Sequence, residues 1–335
     1  MPLGDWLRHR SLRSWPVLLF LVLICVPSIA LVILGGSPSP DVFDHVAWIF
    51  ATYFALAWLL LLGVIVQPHH VTRPMLAVVT AIALATQIPL AVALETALHS
   101  DISNLGSSII AIGVPEELTK AIPVLAIALL YRQRRDLSPR DYLFLGAVSG
   151  LAFGASEVVR YFTVNSEVQF YLTVRSALPA IERLTHAGNS TSTSVFAVLI
   201  GPVLSYILDF VWRFVADPIS HACWSGLTGY FIGLAATGRY KWYKVGWIGL
   251  AMAASLHGIN DWSRVNGHPV WILVVIASGI LLLGYAKVGS RGDLHRANSR
   301  TPPFLLPPQV PPGYPGSQPR GRPGRHTTGR PWWEH

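Results

Sequence analysis

The chain has 335 residues, 52% of them hydrophobic and only 13% charged, with a formal net charge of +8. Apolar runs of about 20 residues recur from Pro16 to Val288, which excludes a soluble globular domain and indicates a polytopic helical membrane protein. The positive charge sits in short connections and a tail rather than on an aromatic-interleaved groove, so no nucleic-acid partner is expected and the charge reports topology.

Residues 1–15 carry Arg8, Arg10 and Arg13 and read as a cytoplasmic N-terminus. The first apolar run, Pro16 to Leu34, is long, lacks a small-residue cleavage site and heads a series of spans, so it is expected to be an uncleaved transmembrane helix. Further spans are predicted at 45–66, 75–98, 108–131, 142–162, 217–237, 245–261 and 269–288, within a transmembrane domain covering 16–288. Cys25 and Cys223 lie inside apolar runs and lack metal-site spacing, which makes both packing residues.

The connection from Tyr131 to Asp141 carries Arg132, Arg134, Arg135 and Arg140, whereas 35–44 and 99–107 have acids and no Lys or Arg. If the apolar stretch 193–212 crossed the membrane, Arg239, Lys241, Lys244 and the Arg-rich tail would fall outside, against the positive-inside rule. The expected architecture is therefore all-α, a polytopic transmembrane bundle of about eight spans plus one interfacial or re-entrant helix at 193–212, with both termini cytoplasmic in the cell membrane. The polar segment 163–192 reads as an outer connection, so 163–212 forms an extracytoplasmic insertion, a candidate lid or docking element. Residues 289–335, with ten prolines and seven arginines, read as a disordered cytoplasmic tail drawn to anionic lipid.

Ionisable residues inside apolar segments are costly and mark function. Pro115 is expected to kink or unwind the helix before Glu116 and Glu117, letting water reach them. Glu116 and Lys120 are four apart and share a face, so one glutamate is expected to pair while the other stays free for proton transfer. Glu157 and Arg160, three apart, suit a local ion pair, and His257 can hydrogen-bond Asp261 or Asn260, which fixes its tautomer. His221 stands alone just inside its apolar run. Glycines at 146, 150 and 154, and the small residues Ser225, Gly229 and Gly233, form stripes that let helices approach closely.

In the eight-span topology Glu116, Glu117, Glu157, His221, His257 and Asp261 all fall toward the outer ends of their helices and can share one pocket. A glutamate there can activate water for attack on a peptide carbonyl, with imidazoles stabilising the oxyanion or protonating the leaving nitrogen. That chemistry needs no cofactor, although His221, His257 and a glutamate could equally hold zinc. The His-Glu-x-x-His pattern of soluble zinc proteases is absent. The same residue types also make proton relays, so a proton-coupled transporter is one alternative and a catalytically silent membrane scaffold another. No second copy of the Pro-Glu-Glu segment marks an inverted repeat.

Four segments in this order resemble the PrsW family of intramembrane proteases, related to the CPBP group that includes CAAX-processing enzymes. They are Pro115 to Lys120, Gly150 to Glu157, Arg213 with His221-Ala222 and Gly229 to Gly233, and Leu256-His257-Gly258 through Asp261, a core spanning 108–261. Val158 follows Glu157 where that family often has Asn, and the segment before Arg213 is unusually long. The resemblance implies cleavage of a membrane-tethered protein, as the family is best known for cleaving an anti-sigma factor. It implies catalytic roles for Glu116, Glu117, Glu157, His221 and His257, with Lys120, Arg160, Arg213, Asn260 and Asp261 in support.

Overall fold

The computed structural model describes residues 40–131, 137–186, 192–238 and 240–299, together with part of 19–27. Residues 1–15, most of the expected first span, the basic residues 132–136 and the tail beyond 299 lie outside the described residues. Among the described residues the regular structure is helical, with no strand. Helix α1 runs Pro40–Val66 and α2 Arg73–Ala97. A single turn, Leu105–Ser107, and a π-helical stretch, Ser108–Gly113, lead into α3, Val114–Leu130. Helices α4 (Pro139–His186), α5 (Ser192–Ala236), α6 (Trp242–Val265) and α7 (Val270–Ser299) follow.

Four of these segments are long and apolar enough to cross a membrane: His45–Val66, Arg73–Ala97, Pro139–Tyr161 and Val270–Gly289. The most apolar part of Pro139–Tyr161 is 83% buried, against 28% for each of the others, which makes α4 the bundle's centre and turns the other three toward lipid. Small residues permit that central position. A Cβ at Gly146 or Gly150 would land on the carbonyl oxygens of Ser225 and His221, and one at Gly229 on that of Tyr142. A Cβ at Gly154 would lie 2.8 Å from Pro218 Cα. Positions 142, 146, 150 and 154 of α4 thus oppose 229, 225, 221 and 218 of α5 in antiparallel register, and the stripes read from sequence are the contact itself.

The polar segment after Tyr161 is helix, not the expected connection, because α4 continues to His186. Polarity distinguishes water from lipid but does not distinguish loop from helix. Likewise 193–212 is no separate interfacial helix: it is continuous with 217–236 in α5. At 1.5 Å per residue the 48-residue α4 is about 72 Å long, more than twice the roughly 30 Å hydrocarbon core, so the α4–α5 hairpin must extend beyond a bilayer. Helix α7 also outruns its expected end at 288 and reaches Ser299.

The two ends of the bundle differ. At one, Asp141 accepts from the backbone amides of His69 and His70 and from Ser138, while Arg140 donates to the carbonyls of Val66 and Gln67. At the other, Asn266 Nδ2 donates to the Ser103 carbonyl, joining the α2–α3 and α6–α7 connections.

Replacing Gly150 with alanine is expected to lower thermal stability in detergent, by about 1–3 kcal/mol if the helices separate to admit the methyl group. Gly279→Ala, where nothing lies within 4 Å, should melt like the parent, and equal melting of both variants by circular dichroism would contradict the packing account.

Candidate active site

The turn that carries the glutamates is set by proline and glycine. Pro115 has no amide proton, and the preceding turn is π-helical, with the Val114 amide bonding to the Ile109 carbonyl. Gly113 and Gly258 let this turn lie directly on α6: a Cβ at Gly113 would strike the Ala254 carbonyl, and one at Gly258 would meet Ile109 Cα. Ser108 Oγ donates to the Gly258 carbonyl at 2.9 Å. The start of α3 is thereby pressed against the turn of α6 that carries His257.

At the centre is Lys120, fully buried, whose Nζ lies 3.1 Å from Glu116 Oε2, 2.9 Å from Glu117 Oε1 and 2.8 Å from His221 Nδ1. The Phe153 ring centroid is 3.9 Å away. The expectation of one paired and one free glutamate is corrected here, because positions i+3 and i+4 are both within reach of one Lys side chain on a helix, and Lys120 holds both. Its backbone is held as well: Ser149 Oγ donates to the Lys120 carbonyl and accepts from Gln87 Nε2, each at 2.7 Å.

The histidines bridge outward from this centre. His221 Nε2 lies 2.8 Å from Glu157 Oε2, while its Nδ1 faces the Lys120 ammonium. Glu157 therefore reaches across to α5 rather than serving only a local pair with Arg160. Arg160 is exposed on the next turn. His257 Nδ1 faces Glu117 Oε1 at 3.2 Å, and its Nε2 faces Glu116 Oε2 at 3.4 Å and Asp261 Oδ2 at 3.2 Å. Asn260 does not replace Asp261 in this role: its Nδ2 donates to Asp261 Oδ1 at 3.1 Å. The His257 ring stacks on Trp224 at 4.6 Å, and Trp224 is fixed by donating to Ser278 Oγ at 2.8 Å.

Arg213 sits beside the centre. Its guanidinium donates to Asp217 at 2.9 Å and covers the Tyr161 ring, while Arg264 approaches the other Asp217 oxygen at 3.7 Å. Asp217 thus ties α5 to α6, about one turn from His221 and, through Arg264, about two turns from His257.

The structure brings together all five residues expected to be catalytic, from α3, α4, α5 and α6. It adds Asp217, Trp224 and Ser225, whose Oγ donates to Glu117 Oε2 at 3.3 Å. These three lie at i−4, i+3 and i+4 from His221, so helical periodicity around that residue was the signal for them. Glu95 near the end of α2 is within electrostatic reach of Glu157, His257, Arg160 and Lys120, and nothing in its local sequence pointed there.

Residues 55–285 match the sequence model of the PrsW family intramembrane metalloproteases. The chain belongs to that family. It is a membrane peptidase, and its substrate is a membrane protein. No curated protein and no solved structure matches it.

The family description raises the question of a metal. Glu116, His221 and His257 each offer a donor atom, and the three lie within 4.8 Å of one another, a donor set suited to zinc. A second group, Glu157, Asp217 and His221, is as compact. In the first group His221 Nδ1 and Glu116 Oε2 face the Lys120 ammonium, while His257 faces Glu116 within the group; in the second, His221 faces Glu157 within the group and Asp217 is held by two arginines. The donor types fit an ion, and in each group a cationic side chain already stands on part of the set.

Glu117→Ala removes an acceptor of Lys120, His257 and Ser225 at once, and breaking such a buried pair costs about 3–5 kcal/mol. Glu116→Ala, which removes a less enclosed partner of Lys120 and His257 and leaves Ser225 its acceptor, should cost less in thermal unfolding of the detergent-solubilised protein. Equal losses would contradict the asymmetry described.

Proposed function

We propose that this peptidase hydrolyses a peptide bond of a membrane-tethered regulatory protein, of which an anti-sigma factor is the family's example, with Glu116 as the group that activates water. The observation that carries the assignment is the inequality of the two glutamates. The Glu117 side chain is 0% exposed and spanned by Lys120, His257 and Ser225, whereas that of Glu116 is 8% exposed and shares His257 Nε2 with the more accessible carboxylate Asp261, at 22%. Glu117 holds the frame; Glu116 meets solvent.

In this reading water approaches from the side of Asp261 and Glu157, and Glu116 accepts one of its protons as the oxygen attacks the scissile carbonyl carbon. The carbonyl π pair moves to oxygen, and an N–H of His257 at the Glu116 side, oriented by Asp261 and Trp224, stabilises the oxyanion. Collapse breaks the C–N bond, and the proton held by Glu116 passes to the leaving nitrogen. His221 is locked between Lys120 and Glu157 and positions both rather than meeting substrate.

The topology that accompanies this reading has eight spans, cytoplasmic termini and a pocket opening outward. Continuity of α5 supports it, since 193–212 and 217–236 on one unbroken helix cannot be two opposed crossings. Basic connections at the end opposite the pocket support it as well. The α4–α5 extension would then stand outside the membrane, above the pocket, as a docking element for the substrate's extracytoplasmic portion.

Glu116→Gln is expected to lower cleavage by about 10²–10⁴-fold while the protein folds and inserts normally. New membrane-protein fragments, compared between parent and variant at matched expression, are the readout, and unchanged fragments would overturn the assignment. Cysteines placed by Tyr240→Cys and Val265→Cys are expected to label from the cytoplasmic and outer sides respectively, and outside labelling at 240 would overturn the topology.

A further inference from the structure

Among the described residues, Lys120 is the cation at the point where Glu116, Glu117 and His221 converge, and its surroundings saturate it. An ammonium has three N–H donors, and here they meet three acceptors, at 3.1, 2.9 and 2.8 Å, with the face of Phe153 beside it and no solvent exposure. Two of those acceptors belong to Glu116 and His221, residues of the donor set that could bind a divalent ion. An ion held with Glu116 and His257 through His221 Nδ1 would displace the Lys120 contact. It would lie beside a fully buried ammonium, where like charges repel strongly.

Resting on the peptidase reading of this same site, we propose that the Lys120 ammonium is the built-in cation of the active site: it occupies the charge position of a divalent metal, so that the native chain assembles its carboxylates and imidazole around lysine, and the metal-capable donors become available only when that side chain is removed. Lys120 acts here as a positioning residue. It fixes the Glu116 carboxylate that meets water and the His221 ring, without itself touching substrate.

The test is Co²⁺ titration of the purified full-length protein in detergent, followed by ligand-field absorption and by metal content after desalting, in the parent, Lys120→Met and Lys120→Arg. The parent and the Arg variant are expected to retain no stoichiometric Co²⁺. The Met variant, confirmed as folded by circular dichroism and a single size-exclusion peak, should gain one site at least about 10–100-fold tighter, the scale on which neighbouring groups tune metal affinity. Adding His257→Ala to the Met variant should abolish that site. A parent that holds one Co²⁺ equivalent as tightly as the Met variant would overturn the proposal, as would a folded Met variant that gains no site. Should Lys120→Met fail to fold, the parent titration alone decides, tight stoichiometric binding sensitive to His257→Ala being the overturning result and its absence the supporting one. Binding is read without substrate, so failure of every form to cleave membrane proteins would count against the peptidase assignment and leave the metal result standing.

Discussion

A buried lysine shared by two carboxylates and an imidazole is the constraint around which this bundle is organised. Taking an ammonium and two carboxylates out of water is expensive, and the expense is offset only when every donor and acceptor finds a partner. Lys120, Glu116 and Glu117 come from one turn of α3, but that turn cannot complete the set by itself. His221 supplies the third acceptor from α5, Glu157 anchors His221 from α4, and His257 closes the far side from α6. Four helices are thus held in fixed relation by charges that none of them could bury alone.

Such convergence needs helix axes to come closer than ordinary side chains permit. In lipid the association of helices gains little from the hydrophobic effect and rests on close packing and polar contacts. The stripe of Gly146, Gly150 and Gly154 against Ser225, His221 and Pro218 sets the distance between α4 and α5, and Gly113 and Gly258 do the same for the start of α3 against α6. Pro115 follows a π-helical turn that lays the start of α3 against α6, where the consecutive glutamates both meet Lys120 and His257. The Asp217 clasp, with Arg213 on its own helix and Arg264 on α6, fixes the two histidine-bearing helices near the opening of the pocket.

This arrangement gives two chemically identical neighbours different surroundings. Glu117 is enclosed and bonded on both oxygens. Glu116 is also buried and tethered to Lys120 but keeps slight exposure, the difference on which the proposal of Glu116 as the base rests. A transporter's proton relay would place similar residues along a path across the membrane, whereas here they gather in one cluster around an imidazole that three carboxylates face.

By itself the sequence determined the class of environment and the cast of residues. Long apolar runs required membrane helices, and because charge inside them is costly, Glu116, Glu117, Lys120, Glu157, His221, His257 and Asp261 stood out without any structure. Close helix contact was legible too, in the four-residue spacing of the glycines. Which residue faces which was not, since pairing between helices depends on rotation and register that no single segment encodes. Glu157 meeting His221 and Lys120 holding both glutamates are decisions of tertiary structure for that reason. So is the continuation of α4 and α5 beyond the membrane: polarity told where 163–186 finds its solvent, but only backbone hydrogen bonding along the folded chain makes it helix.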